Sequence, residues 1–298
     1  MLFYIVTPSF DALPWLTCCV RSVADQVGSG VQVHHHVQDG GSTDGSVAWL
    51  EEWQAAHQGV EGYRFTYASE PDAGAYDAIN RAWVNLPYEA EATALLNSDE
   101  QYLPGALPAV ADAFSRDSEP ELVLTSFLVL DEEHHYISHR RALAPRRWSS
   151  AVQCGIETCA TFFRAEYLRR SGLRFNSRWK CLADLFFARR LLALAPRIEL
   201  LPRLLTTTFL VTGHNLSWSA RSREERRRYM TTLSPWLVKC EPLIRRWVQL
   251  KHSLLDWLLP SPGQYSIYLP RERTRTTLSV GHASRRSFSS AQRRVSQR

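Results

Sequence analysis

No run of apolar residues in this 298-residue chain reaches the ~18 that a membrane-spanning helix needs. The opening stretch Met1-Leu-Phe-Tyr-Ile-Val is apolar, but it lacks a basic n-region and a small-residue cleavage site. It is therefore expected to be a first β-strand and not a signal peptide. The six cysteines (Cys18, Cys19, Cys154, Cys159, Cys181, Cys240) show no Cys-x-x-Cys spacing. They make a poor disulfide framework, so free thiols in a reducing cytoplasm are expected, and a zinc site recruiting Cys154 and Cys159 is disfavoured. A basic excess is present, +5 in all, but the body of the chain lacks it. Residues 271–298 hold eight arginines against one glutamate, +7, which leaves −2 for the other 270 residues. With basicity confined to the tail, the body is roughly neutral and no nucleic-acid partner is expected.

What is present is ordinary for a soluble enzyme: 45% apolar and 22% charged residues, enough for one large core. Short apolar runs at 3–7, 31–38, 63–68 and 92–97 alternate with helical spacing at 13–26, 46–57 and 75–84. Units of ~25–30 residues of this kind predict βαβ crossovers and a parallel sheet. Sites in such sheets lie beyond the carboxyl ends of the strands. That directs attention to Pro8-Ser9, Asp39, Ser69-Glu70 and residues 97–100. Farther on, 120–141 read as strands half exposed to solvent, 178–194 as a helix and 198–211 as strand. Residues 235–259 read as a Trp-rich, amphipathic basic helix or helix pair. The Ser/Arg-rich segment after Pro260 is expected to be disordered. The domain division expected is 1–233 (halves 1–115 and 116–233), a helical extension at 234–260 and a tail at 261–298.

Three segments carry chemistry. Asp39-Gly-Gly-Ser-Thr-Asp-Gly45 follows the second strand; its glycines permit a sharp turn, and Ser42, Thr43 and Asp44 are good helix caps. It is neither a Gly-x-Gly-x-x-Gly loop nor a P-loop, which disfavours nicotinamide or flavin binding. A carboxylate fixed at a strand end, Asp39, can accept hydrogen bonds from a base edge. Asn97-Ser98-Asp99-Glu100 ends an apolar strand with adjacent carboxylates, which repel unless a cation lies near; a hard divalent ion shared with phosphates answers that. Ser69 to Arg81 crowds five polar or charged side chains before a helix, more than capping explains. The run His34-His35-His36 is not a metal site, because successive strand residues face opposite sides of a sheet.

In order along the chain, Thr7-Pro8-Ser9-Phe10, Asp39 to Gly45, Ser69 to Arg81 and Leu96 to Gly105 resemble glycosyltransferase family 2. The resemblance implies an α/β, GT-A (Rossmann-like) fold with a mixed, mostly parallel sheet flanked by helices. It also implies an inverting transferase using a nucleoside-diphosphate sugar as donor. Thr7, Pro8 and Ser9 would line the nucleoside pocket with Asp39 on the base, and Asp72, Asn80, Arg81, Asn97 and Ser98 would shape the nucleotide-sugar side. Asp99 and Glu100 stand at the family's metal-binding carboxylates, for Mg²⁺ or Mn²⁺. Glu100 departs from the usual Asp, which puts the metal geometry in question. The segment 179–190 resembles the part of the family that carries the acceptor-deprotonating base, here Asp184. Glu157 and Asp131 are rival carboxylates, and His214-Asn215 is a candidate contact to the diphosphate or acceptor.

The mechanism implied is direct displacement: Asp184 takes the acceptor's proton as attack proceeds, while cation and arginine offset charge on the departing diphosphate. The setting expected is bacterial polysaccharide or other surface-glycan synthesis, with a glycan or lipid-linked acceptor. Peripheral contact with the inner face of the membrane through 235–259 is expected as well. A nucleotidyltransferase is the first rival, but it would want a Gly-rich, Lys/Arg-containing loop after the first strand, and residues 8–14 supply none. An RNA- or lipid-binding protein acting through the basic tail is the second.

Overall fold

The computed structural model describes residues 1–212, 219–258 and 261–280. The first half is β1 (Leu2–Ser9), α1 (Leu13–Ala24), β2 (Gln32–Asp39), α2 (Ser46–Ala56), β3 (Tyr63–Ser69), α3 (Ala75–Val84) and β4 (Ala92–Leu95). The expected strand–helix alternation is thus present, and β3-β2-β1-β4 is an all-parallel array. Next come β5 (Gln101–Tyr102), α4 (Ala106–Phe114), β6 (Leu122–Leu130), β7 (Tyr136–Arg140), α5 (Arg147–Ser150) and β8 (Thr161–Arg164). They are followed by α6 (Ala165–Ser171), α7 (Ala183–Ala193), β9 (Ile198–Leu210), α8 (Ala220–Met230) and α9 (Pro235–Leu258). A hairpin of β10 (Gln264–Tyr268) and β11 (Arg275–Ser279) ends the described chain.

The large sheet runs β3-β2-β1-β4-β8-β6-β9-β5, with β7 also on β6. β8 lies antiparallel between β4 and β6, so the parallel first half and the mixed second half share one sheet. Apolar layers cover both faces. On one side Leu16, Val20 and Val23 of α1, Leu50 of α2 and Leu107 and Val110 of α4 pack on Phe3, Ile5 and Val33. On the other, fully buried Trp83 of α3 stacks on Phe175 (centroids 5.4 Å apart) and meets Phe187 of α7 at 5.8 Å.

Two expectations change. β6 is buried along its whole length rather than half exposed, because β8, β7 and β9 flank it and helices cover the sheet. Of the helix or helix pair expected next, Pro235–Leu258 is the single helix, with Pro242 accommodated inside it. The second change concerns the tail, which is ordered at 264–279. Arg275 binds the Asp25 carboxylate and the Tyr102 carbonyl (2.9 Å), and it lies over the Tyr268 ring. Gln101 exchanges two hydrogen bonds with the Tyr268 backbone. Tyr265 and Ile267 then close an apolar cluster with Leu103, Leu128 and Leu130. Residues 281–298 lie outside the described chain.

Alternation in β2 behaves as the pleat requires. His34 and His36 both reach Thr66 on one face (3.0 and 2.9 Å), while His35 bonds Thr7 on the other (2.9 Å). Burial holds His35 down at about 3, and His34 at about 4, so these rings are neutral core groups.

Candidate active site

The carboxyl ends of β1 and β4 open on a cleft of about 1050 Å³. Pro8, Ser9 and Phe10, at the end of β1, form one wall. Beside them the turn after β2 must come close: a Cβ on Gly40 would sit 3.1 Å from Asp72 Oδ2 and from the Phe10 ring, so glycine is what lets Asp72 reach the cleft. Asp72 in turn accepts the Gly74 amide (2.6 Å) at the entry to α3. The turn itself is locked by Asp44, whose carboxylate accepts the Ser46 amide and hydroxyl (3.0 and 2.6 Å) and the Leu13 amide (2.8 Å). One side chain thereby satisfies amides at the starts of two helices, although the N-cap position of α2 is Gly45 at φ 95°.

Asn97, Ser98, Asp99 and Glu100 form the floor. Glu100 is buried and turned back on its own loop, accepting the Asn97 amide (2.8 Å) and side-chain amide (3.0 Å). Burial pushes both Asp99 and Glu100 up from the usual carboxylate range, and Asp99's charge raises Glu100 further. Neither makes an ion pair among the described residues, so a divalent cation fits the donor set, with Asp99 facing the cleft and Glu100 bracing the loop. Among the described residues the sole three-ligand group, Asp131, Glu133 and His135, lies on the β6–β7 turn, outside the cleft lining. Asp131 is thereby set apart from the chemistry proposed for it as a rival base.

The same cleft is lined by Asp184, in the first turn of α7, and by Glu157. Burial lifts Asp184 from 3.8 to about 7, against the pull of the Leu185 amide on Oδ1 (2.8 Å); the nearby Glu157 charge adds to the rise. Burial lifts Glu157 too, with Arg140 opposing. The roof comes from β7 (His139, Arg140) and from α9, where Arg245, Gln249, His252 and Ser253 line the cleft. Arg245 is paired with Glu241, which also holds Arg226 (3.0 Å).

Of the residues expected at the site, Pro8, Ser9, Asp72, Asn97, Ser98, Asp99, Glu100 and Asp184 meet in this cleft. Four do not line it. Thr7 is buried against His35. Asp39 is fully buried and its carboxylate accepts the Gly41 and Ser42 amides and the Ser42 and Ser69 hydroxyls (2.5–3.0 Å), so it holds the turn. Asn80 exchanges hydrogen bonds with the Phe175 backbone (2.8 and 2.9 Å), tying α3 to the second half. Arg81 pairs with Glu70 and Asp77 and bonds the Pro71 carbonyl, bracing the loop that carries Asp72. His214 and Asn215 lie outside the described residues. The roof residues of α9 escaped the sequence reading; their signal was the spacing 245, 249, 252 on a helix whose apolar face had been noticed instead.

The model of the family described as Glycosyl transferase family 2 matches residues 4–170. The chain belongs to that family. Among curated proteins none matches it. Solved structures share the fold of this family-2 chain at low identity. TarS of S. aureus in complex with UDP-GlcNAc has a TM-score of 0.59 at 18% identity, covering 77% of this chain and 64% of that one. The mannosyltransferase PcManGT from Pyrobaculum calidifontis, in complex with GDP-Man and Mn2+, has a TM-score of 0.57 at 14% identity, covering 85% and 71%. The family-2 chain thus spans under two thirds of the TarS length. The GT-A-like fold, a large mixed sheet flanked by helices, agrees with the expectation drawn from the motifs.

Proposed function

We propose that this protein transfers a sugar from a nucleoside-diphosphate sugar to an acceptor hydroxyl, with inversion. The observation that carries the reading is that the acid pair Asp99–Glu100 and the raised carboxyl Asp184 line one cleft. The likeness to structures solved with UDP-GlcNAc and with GDP-Man and Mn2+ supports a nucleotide-sugar donor. Ser9, Asp72, Asn97 and Ser98 bind the donor, and the halves 1–115 and 116–233 serve donor and acceptor. A divalent cation, Mg²⁺ or Mn²⁺, held by Asp99 with Glu100 behind it, would supply charge neutralisation at the diphosphate. Asp184 positions the acceptor hydroxyl and receives its proton; a carboxyl lifted to about 7 is a competent base near neutral pH. Asp39, Thr7, Asn80 and Arg81 serve by holding the walls that the donor touches.

No helix among the described residues is long and apolar enough to cross a membrane. We propose peripheral contact instead: α9 exposes Trp236, Leu243, Leu250 and Trp257 at seven-residue intervals, with Trp257 79% exposed, beside Lys239 and Arg246. A lipid-linked or surface-glycan acceptor suits a cleft roofed by the same helix. Incubation with a panel of nucleotide sugars and Mn²⁺, with Asp184→Asn as control, tests the activity. Release of nucleoside diphosphate from none of them, or equally from wild type and variant, would overturn it. Failure to float with anionic vesicles would remove the membrane contact alone.

A further inference from the structure

The loop that carries Asp99 and Glu100 has little regular structure to hold it. β5 follows at once and is two residues long, and Glu100, Gln101 and Tyr102 are all buried. Strands usually run ~3–10 residues, so two ladder positions on β9 make a weak anchor. The demand on that anchor is high. Two adjacent carboxylates, one of them buried, repel each other, and both gain by moving out into water.

Much of what fixes β5 comes from the β10–β11 hairpin, 167 residues further on. The Gln101 side-chain amide donates to the Tyr268 carbonyl (2.9 Å), and its oxygen accepts the Tyr268 amide (2.8 Å). Both bonds are buried, so losing either partner strands a polar group away from water. Arg275 of β11 donates to the Tyr102 carbonyl and the Ser266 carbonyl (both 2.9 Å) and pairs with Asp25 at the end of α1. The Tyr268 hydroxyl reaches the same carboxylate (3.0 Å), and Arg21 of α1 donates to the Glu272 carbonyl (2.7 Å). From the body of the protein, the Thr208 and Ser22 hydroxyls accept the Gln101 and Tyr102 amides (3.1 and 3.0 Å). Trp15, which lines the cleft, packs on the apolar cluster that Tyr265 and Ile267 close.

We infer that the C-terminal hairpin is a positioning element of the metal site: through Gln101, Tyr268 and Arg275 it sets the backbone from which Asp99 and Glu100 are presented to a divalent cation. Gln101 is one peptide bond from Glu100, so a chain released at 101 lets the acid pair separate and hydrate. None of the three residues lines the cleft, and they act on the ion only through the loop. The inference rests on the transferase reading above and names the residues outside the cleft on which its metal depends.

Calorimetry on the full chain tests it, with Mn²⁺ as the probe and with UDP and GDP titrated separately in the absence of metal. Gln101→Ala removes the clamp and leaves both carboxylates in place; Mn²⁺ affinity should fall about tenfold while metal-free nucleotide affinity moves less than about twofold. Arg275→Gln, which keeps a hydrogen-bonding side chain, should weaken Mn²⁺ by a smaller factor, and it carries the test if Gln101→Ala does not fold. Glu121→Gln is the control for lost stability alone. That carboxylate accepts the Arg197 amide (2.8 Å) and pairs with Arg170, away from the cleft lining, so its loss should leave Mn²⁺ affinity at the wild-type value. Every protein is measured well below its thermal midpoint, and amides at 97–101 should exchange hydrogen faster in Gln101→Ala than in Glu121→Gln. Unchanged Mn²⁺ affinity in the folded hairpin variants would overturn the inference while the metal reading stood. An equal loss in Glu121→Gln, or an equal loss of metal-free nucleotide affinity, would reduce the hairpin to general support and overturn it too. Absence of Mn²⁺ binding to folded wild type would strike the metal reading, and the inference with it.

Discussion

Asparagine at position 184 should make the protein more stable and nearly inactive. In the folded chain the Asp184 carboxyl titrates at about 7 instead of 3.8, and burial is the main cause. At ~1.36 kcal/mol per pK unit the displacement corresponds to about 4 kcal/mol. The folded-state value lies above the unfolded one, so this group's favourable contribution is complete below 3.8 and is lost as pH rises through about 7. At pH 8 the native state carries the full cost of a buried negative charge. Because the carboxyl faces a cleft that admits water, about 2 kcal/mol is the effect expected. Asparagine keeps Oδ1 for the Leu185 amide and removes the charge. Urea unfolding followed by tryptophan fluorescence should show Asp184→Asn more stable than wild type at pH 8, with the gap closing towards pH 4. Sugar transfer should fall by about 10²–10⁴, the usual worth of a general base. A variant within tenfold of wild-type activity, or one less stable at pH 8, would refute the reasoning.

Glu157→Gln should retain transfer and shift the acid limb of its pH profile downward, since the Glu157 charge helps raise Asp184; loss of activity here with Asp184→Asn unaffected would exchange the two roles. Calorimetry on Asp99→Asn should show Mn²⁺ binding weakened by more than about tenfold. In wild type that binding should tighten between pH 6 and 8, because both carboxyls of the pair are raised and must lose protons before Asp99 can hold the ion with Glu100 behind it. Asp44→Ala, which strips acceptors from the starts of α1 and α2, should cost about 1–2 kcal/mol in urea unfolding. Arg275→Ala should cost about 2–3 kcal/mol, because Asp25 and the Tyr102 carbonyl lose a partly buried, charge-assisted partner. Removing 261–298 should be worse, since Leu103, Leu128 and Leu130 lose their cover.

The motif residues divide into two kinds that look alike in a sequence. Pro8, Ser9, Asp72 and residues 97–100 line the cleft, while Thr7, Asp39, Asn80 and Arg81 hold the walls up. A short motif places all of them at strand ends, but the direction of each side chain depends on which neighbours supply its hydrogen bonds. Asp39 shows why: four donors from its own turn and from Ser69 claim the carboxylate, and Ser69 lies thirty residues away.

The sequence by itself determined the parallel βαβ core, since hydrophobic periodicity is local and each strand buries both faces of its own short run. It also determined the acid pair just beyond β4, because strand ends are marked by nearby residues, whereas the helix expected from 178 begins at Ala183, which is what puts Asp184 in a first turn. Only the tertiary structure decided the roof and the tail. α9 reads as amphipathic in isolation, yet whether a given face meets lipid, core or cleft depends on where a distant sheet ends. The β10–β11 hairpin has few apolar residues of its own and is held by Asp25 and Gln101, about 250 and 167 residues away in the chain. Contacts of that range leave no periodic trace, and they are also what fixes β5 directly after the acid pair.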